Sequence, residues 1–171
     1  ATRWRGALTD PNTGFVPNRG ANDGAYIFPL TVQPYADFRP VVEAAARAFL
    51  GQGVYDDPQL GEMAAWFGLP SAVEVQSRQP QAVDMPRMDT QLGRAFLHSA
   101  QFDDRPSHAD QLHADLWWRG VNVALDPGTF SYNAPPPGDN AFATARVHNT
   151  VTVDNLDQMQ RAGRFLWLDW A

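Results

Sequence analysis

The stretch from Ser107 to Asp154 constrains the chain more than any other, because three of the four histidines lie inside it among β-forming residues. Its first part reads Ser-His-Ala-Asp-Gln-Leu-His-Ala-Asp-Leu-Trp-Trp-Arg-Gly. Over Gln111–Trp118 the residues alternate. Leu112, Ala114, Leu116 and Trp118 fall on one face, and His113, Asp115 and Trp117 on the other, the period-two pattern of a strand. Arg119-Gly120 reads as a tight turn into Val121–Leu125, giving a hairpin that Asp126-Pro127-Gly128 ends. After a loop at Asn133–Asn140, Ala145–Val153 alternates again, with Val147, Asn149 and Val151 opposite Arg146, His148 and Thr150. Upstream, a strand is expected around Phe96, His98 and Ala100, and downstream another over Gly163–Trp170. Several short strands joined by turns predict an antiparallel β-sandwich for residues 93–171. Metal-competent and proton-carrying side chains are spread along it, which is how a sheet carries a site.

The chain ahead of Gly93 has a different character. Residues 1–34 are dense in turn formers, including Asp10-Pro11-Asn12-Thr13-Gly14 and Asn18-Arg19-Gly20-Ala21-Asn22-Asp23-Gly24, and such a loop suits the lining of a cleft. Two helices follow. Asp37 is placed to cap the first, whose buried face is expected at Val42, Ala45, Ala46 and Phe49 before Gly51 ends it. Asp57-Pro58 opens the second, with a stripe of Leu60, Ala64 and Phe67 that Gly68 and Pro70 terminate. Two short helices cannot bury their apolar faces alone, so they read as the last hairpin of a larger helical array. The polar stretch 76–92, punctuated by Pro80 and Pro86, reads as a linker. The expected class is α+β, with helices over 1–75 and a sandwich over 93–171.

Composition narrows the function. A formal net charge of −6 lacks the basic footprint that nucleic acid requires. All 13 basic residues are Arg, the better fork for carboxylate and sulfate. The absence of cysteine rules out disulfides and thiolate metal sites. No apolar run approaches the roughly 18 residues of a membrane helix. Six tryptophans serve either as core or as flat surfaces for sugar rings.

His108, Asp126 and His148 form a candidate metal set, since two imidazoles and a carboxylate suit Zn²⁺. They are 18 and 22 positions apart, and spacing alone does not make them converge. His148 also reads as a strand histidine bonded to a neighbouring chain, and Asp126 as the head of a turn before Pro127. His113 is a candidate acid or base, loosely placed beside Asp115 on its strand face. His98 reads as structural or exposed.

Taken together, His108-Ala-Asp-Gln-Leu-His-Ala-Asp-Leu-Trp-Trp-Arg-Gly, Asp126-Pro-Gly-Thr-Phe-Ser-Tyr and Val147-His-Asn-Thr-Val-Thr-Val-Asp resemble the heparinase II/III-like polysaccharide lyases. The resemblance implies the end of an (α/α) toroid over 1–75 followed by part of a β-sandwich, a truncated piece of a longer enzyme. It implies β-elimination on an acidic, uronate-containing polysaccharide of heparan sulfate or alginate type, with neither nucleic acid nor membrane as partner. It also implies a periplasmic or secreted location. In family members with a structural zinc, the ligands correspond to His108, Asp126 and His148. The histidine that several relatives carry two positions before the first ligand is replaced here by Pro106, leaving His113 and His108 as the catalytic candidates. The toroid's own catalytic Tyr and Asn or His are expected upstream of Ala1. A carbohydrate-binding or structural sandwich without catalysis is the competing expectation.

Overall fold

The computed structural model describes residues 6–71 and 85–171. They fall into two compact units, one of residues 6–16 and 26–71, the other of residues 17–25 and 85–171. The first part of the chain therefore contributes a loop to the second unit, a division that differs from a simple 1–75 and 93–171 split.

In the first unit, α1 (Arg39–Leu50) has Pro in its first turn and ends at Gly51, whose φ of +67° is the left-handed geometry that glycine adopts cheaply. Phe38 occupies the cap position, and Asp37 acts one step earlier: its carboxylate accepts the Arg39 N–H at 3.0 Å and pairs with the guanidinium at 2.6 Å. The buried face is Val42, Ala44 and Ala46, with Glu43 beside them. Glu43 tolerates burial because Arg47 and the Val54 and Tyr55 amides all donate to it, at 2.8, 2.8 and 3.1 Å. Phe49, expected inside, is 78% exposed. Asp57 caps a 3₁₀ turn at Pro58–Gly61, accepting the Gln59 N–H, and α2 (Glu62–Trp66) follows directly. Ala44, Met63 and Ala64 form the core between the helices, with Tyr26, Leu30, Val41 and Leu69 packed on it. Phe67 faces outward, although Leu60 and Ala64 are buried as the stripe predicts. The Phe67 ring instead meets Phe28 edge to face at 6.2 Å between centroids. Among the described residues the helical part is this pair with short helical turns, which does not amount to a toroid.

The second unit holds a four-stranded antiparallel sheet of β1 (Arg87–Asp89), β2 (Gly93–Leu97), β3 (Ala114–Trp118) and β4 (Val121–Ala124), in that order. β1 lies inside the 76–92 stretch expected to be linker; the rest of that stretch up to residue 84 lies outside the described residues. Arg119 and Gly120 have φ of +50° and +80°, so both turn residues are left-handed as a two-residue hairpin of this twist needs. Gly93 faces Trp118 across β2 and β3, and a Cβ there would run into the Trp117 carbonyl oxygen. β3 alternates as expected, and the side it buries is the one carrying Asp115 and Trp117. Phe96 is buried in β2, while Met88, Leu116, Trp118, Val121 and Val123 are exposed.

Two expected strands take other forms. Gly163–Trp170 is part of a hairpin, β5 (Gln160–Gly163) and β6 (Leu166–Leu168), that turns at Arg164-Phe165. Ala145–Val153 is not a strand at all: Ala145–Val147 is a 3₁₀ turn, followed by irregular chain. Side chains there capture the groups a ladder would use. Asp157 accepts the Ala145 N–H at 2.8 Å, and the Thr144 carbonyl faces the His148 ring at 2.8 Å. Ala145 and His148 are both buried, three apart, which is the 3₁₀ period rather than the strand period. The second half thus contains antiparallel sheets of four and two strands, and the whole is α+β.

The core of this unit is Ala109, Ala143, Ala145, Met159 and Trp167, with Phe102 against it. Trp167 donates its indole N–H to the Ser107 carbonyl at 3.1 Å, and the Ala109 N–H donates to Ala143 at 2.8 Å. His108 precedes Ala109 directly and His148 lies one 3₁₀ turn past Ala145, so the packing of this core bears on where both rings begin.

Candidate metal centre

His108, Asp126 and His148 converge. One ligand atom from each lies within 4.8 Å of the others, and all three residues are buried. The His108 and His148 rings meet edge to face at 5.6 Å between centroids, and His148 Nε2 is 3.5 Å from Asp126 Oδ2.

The hydrogen bonds around them decide which atoms are free. His148 Nδ1 lies 2.8 Å from the Thr144 carbonyl, which can only accept, so Nδ1 carries the proton and Nε2 keeps its lone pair. That Nε2 is buried with no hydrogen-bond partner. His108 places Nε2 3.4 Å from the Thr129 hydroxyl and leaves Nδ1 buried without a partner. Asp126 accepts the Gly128 N–H through Oδ1 at 2.8 Å and the Gly20 N–H through Oδ2 at 3.1 Å. Two orphaned imidazole nitrogens and an anchored carboxylate fit a divalent ion of the zinc class.

Electrostatics agree with that fit. Burial disfavours the charged form of Asp126, but the neighbouring His148 ring and the Gly128 and Gly20 amides outweigh it and hold the carboxyl below its ordinary range. Burial likewise opposes charge on His148, yet Asp126 and the Thr144 carbonyl raise its pKa. At His108 burial dominates and lowers the pKa, only partly offset by Asp126 and Asp110.

His113 lies beside this set and is not one of its ligands. Its ring meets His148 edge to face at 5.5 Å. Its Nδ1 accepts the Asn149 backbone N–H at 3.1 Å, so in the neutral ring the proton sits on Nε2, a buried atom with no partner. Burial lowers the His113 pKa and favours that neutral form. Asp115 does not orient it: the Asp115 carboxylate accepts from Asn122 at 3.0 Å instead. Burial raises the Asp115 pKa, opposed by the Asn122 and Trp117 hydrogen bonds. His98, also buried, has Nδ1 3.3 Å from Asp110 Oδ2.

Residues that the alternation pattern could not single out complete the surroundings. Asn18 donates to the Asp126 carbonyl at 3.0 Å, and Asn22 donates to Asn18 at 2.8 Å. The Thr129 N–H donates to the Asn22 carbonyl at 2.8 Å. The cluster of turn formers at 17–25 was their only signal in the sequence.

A short antiparallel sheet, an adjoining alanine-rich core and a buried set of two histidines and one aspartate define a metal-competent β domain. Residues 95–171 match the family model described as heparinase II/III-like, C-terminal. No curated protein and no solved structure matches the chain.

Proposed function

We propose that the chain is part of a polysaccharide lyase that cleaves uronate-containing glycans by β-elimination. The observation that carries this reading is the family match over 95–171, the segment holding the three converged residues. In such a reaction a base removes the proton α to the uronate carboxylate. The electron pair forms a ring double bond, the β C–O bond breaks, and the departing oxygen takes a proton. His108, Asp126 and His148 would hold Zn²⁺, which supplies a fixed cationic centre tying three chain segments together. His108, also a catalytic candidate from the sequence, is better used as a ligand, because one of its ring nitrogens lies within 4.8 Å of the ligand atoms of Asp126 and His148.

His113 is the residue proposed for proton transfer. With Nδ1 committed to Asn149, its neutral ring offers the Nε2–H as a hydrogen-bond donor to developing negative charge rather than a lone pair to the α proton. That assigns it to the departing oxygen and leaves the base to residues beyond this set. The helices at 39–66 are proposed as the end of the toroid, and a periplasmic or secreted location follows from a polymeric substrate.

The test is ultraviolet absorbance of the new conjugated double bond when the protein meets heparan sulfate, alginate and related uronate polymers. Absorbance growth that stops in His113→Gln supports the reading, and silence across the panel sinks it. The second reading, glycan binding without catalysis, is favoured by Pro106 and by the 1% and 2% exposure of His108 and His113. Retention of a uronate polymer without product would select it.

A further inference from the structure

The loop at 17–25 touches the metal-competent set at the one acidic ligand and nowhere near its own sequence neighbours. Asn18 Nδ2 donates to the Asp126 carbonyl across 108 positions, and the Gly20 N–H donates to Asp126 Oδ2 across 106. Oδ2 is also the oxygen nearest His148 Nε2. Asn22 braces Asn18 from behind, and its carbonyl takes the Thr129 N–H, three residues past Asp126. Gly128 is pressed so closely here that a Cβ would lie 2.6 Å from the Asn22 oxygen and 2.8 Å from Asn18 Nδ2. Arg19, between the two contacts, has Asp110 and Asp126 as its electrostatic partners.

We infer that Asn18 and the Gly20 amide are positioning groups for the Asp126 ligand, and that closure of the 17–25 loop is coupled to a divalent cation in the His108, Asp126 and His148 set. This rests on the metal reading above. The argument is linkage. Contacts that hold Asp126 in its ligating pose favour the ion, so the ion must favour those contacts by the same factor. Outer partners of metal ligands commonly govern affinity by about 10–100-fold.

The loop carries its own reporter, since trypsin cuts at Arg19–Gly20 only when the segment opens. Arg119–Gly120, the exposed hairpin turn, serves as the internal control. Zinc titrated calorimetrically into wild type and His148→Ala first tests the site itself; equal binding by both, or none by either, removes the metal reading. Given binding, saturating Zn²⁺ is expected to slow cleavage at Arg19–Gly20 by about tenfold or more, with a much smaller effect at Arg119–Gly120. Asn18→Ala is expected to lower zinc affinity by about tenfold and to weaken the protection at Arg19. Zinc that binds wild type while leaving both bonds equally sensitive, or slowing both equally, overturns the coupling and leaves the site intact. Because that arm uses wild type alone, a poorly folded Asn18→Ala does not decide the outcome.

Discussion

A single backbone N–H, that of Asn149, settles what His113 can do, because it consumes the lone pair on Nδ1 and leaves the proton on Nε2. Among the three rings joined by edge-to-face contacts, His113 is thereby set apart from the two candidate ligands. His148→Ala is therefore expected to reduce zinc affinity by more than the roughly 10–100-fold typical of an outer partner. His113→Gln and His98→Ala should leave the affinity nearly unchanged, and titration calorimetry separates these outcomes. Asp115 gives a pH test away from the ligands. Burial raises its folded pKa above the unfolded value, so the folded state holds its proton more tightly. Between those two values stability falls as pH rises, and the penalty is complete above the folded pKa. Asp115→Asn should abolish that component and leave the variant more stable than wild type at neutral pH, measured as the difference between their thermal midpoints across pH. An unchanged difference from acid to neutral pH counts against the shift.

At the level of elements, the hairpin of β3 and β4 was fully legible, because Arg-Gly between alternating segments is local turn chemistry that no distant contact overrides. Both helices were legible for the same reason, through Gly51, Asp57-Pro58 and Gly68. Their buried faces were less so: choosing Phe49 over Ala44 follows hydrophobicity, whereas the contact selects small residues. Ala145–Val153 shows a different limit. Its alternation is real, but Thr144, Asp157 and His113 divert its backbone and ring groups, and those partners are 12 to 36 positions from the groups they bind, Thr144 excepted. His108, Asp126 and His148 could still be chosen from the sequence, since their chemistry names them even when the local structure is misread. Trp167, 2% exposed and bonded to Ser107, should cost about 3–5 kcal/mol when replaced by Ala. Trp118, on the exposed side of β3, should cost within about 0.5 kcal/mol when replaced by Thr, another strand-forming residue. Chemical denaturation of the two variants checks this contrast.

Across the whole molecule, the second unit is discontinuous in sequence, and the reason was invisible before folding: Asn18 and Gly20 look like any turn residues until Asp126 is placed between them. Ligand binding stabilises only what it binds, so zinc at about a hundredfold excess over Kd should add about 2.7 kcal/mol to the second unit. Tryptophan fluorescence through thermal unfolding should report that gain, and His148→Ala should not show it. The discontinuity also bears on how the chain is made. A ribosome releases Gly20 long before Asp126 and later still His148, and closing a gap of 106 positions costs chain entropy that only late contacts repay. The 17–25 segment must therefore wait, unclaimed, while the helices behind it assemble, until Asp126 and Thr129 emerge to give it somewhere to go.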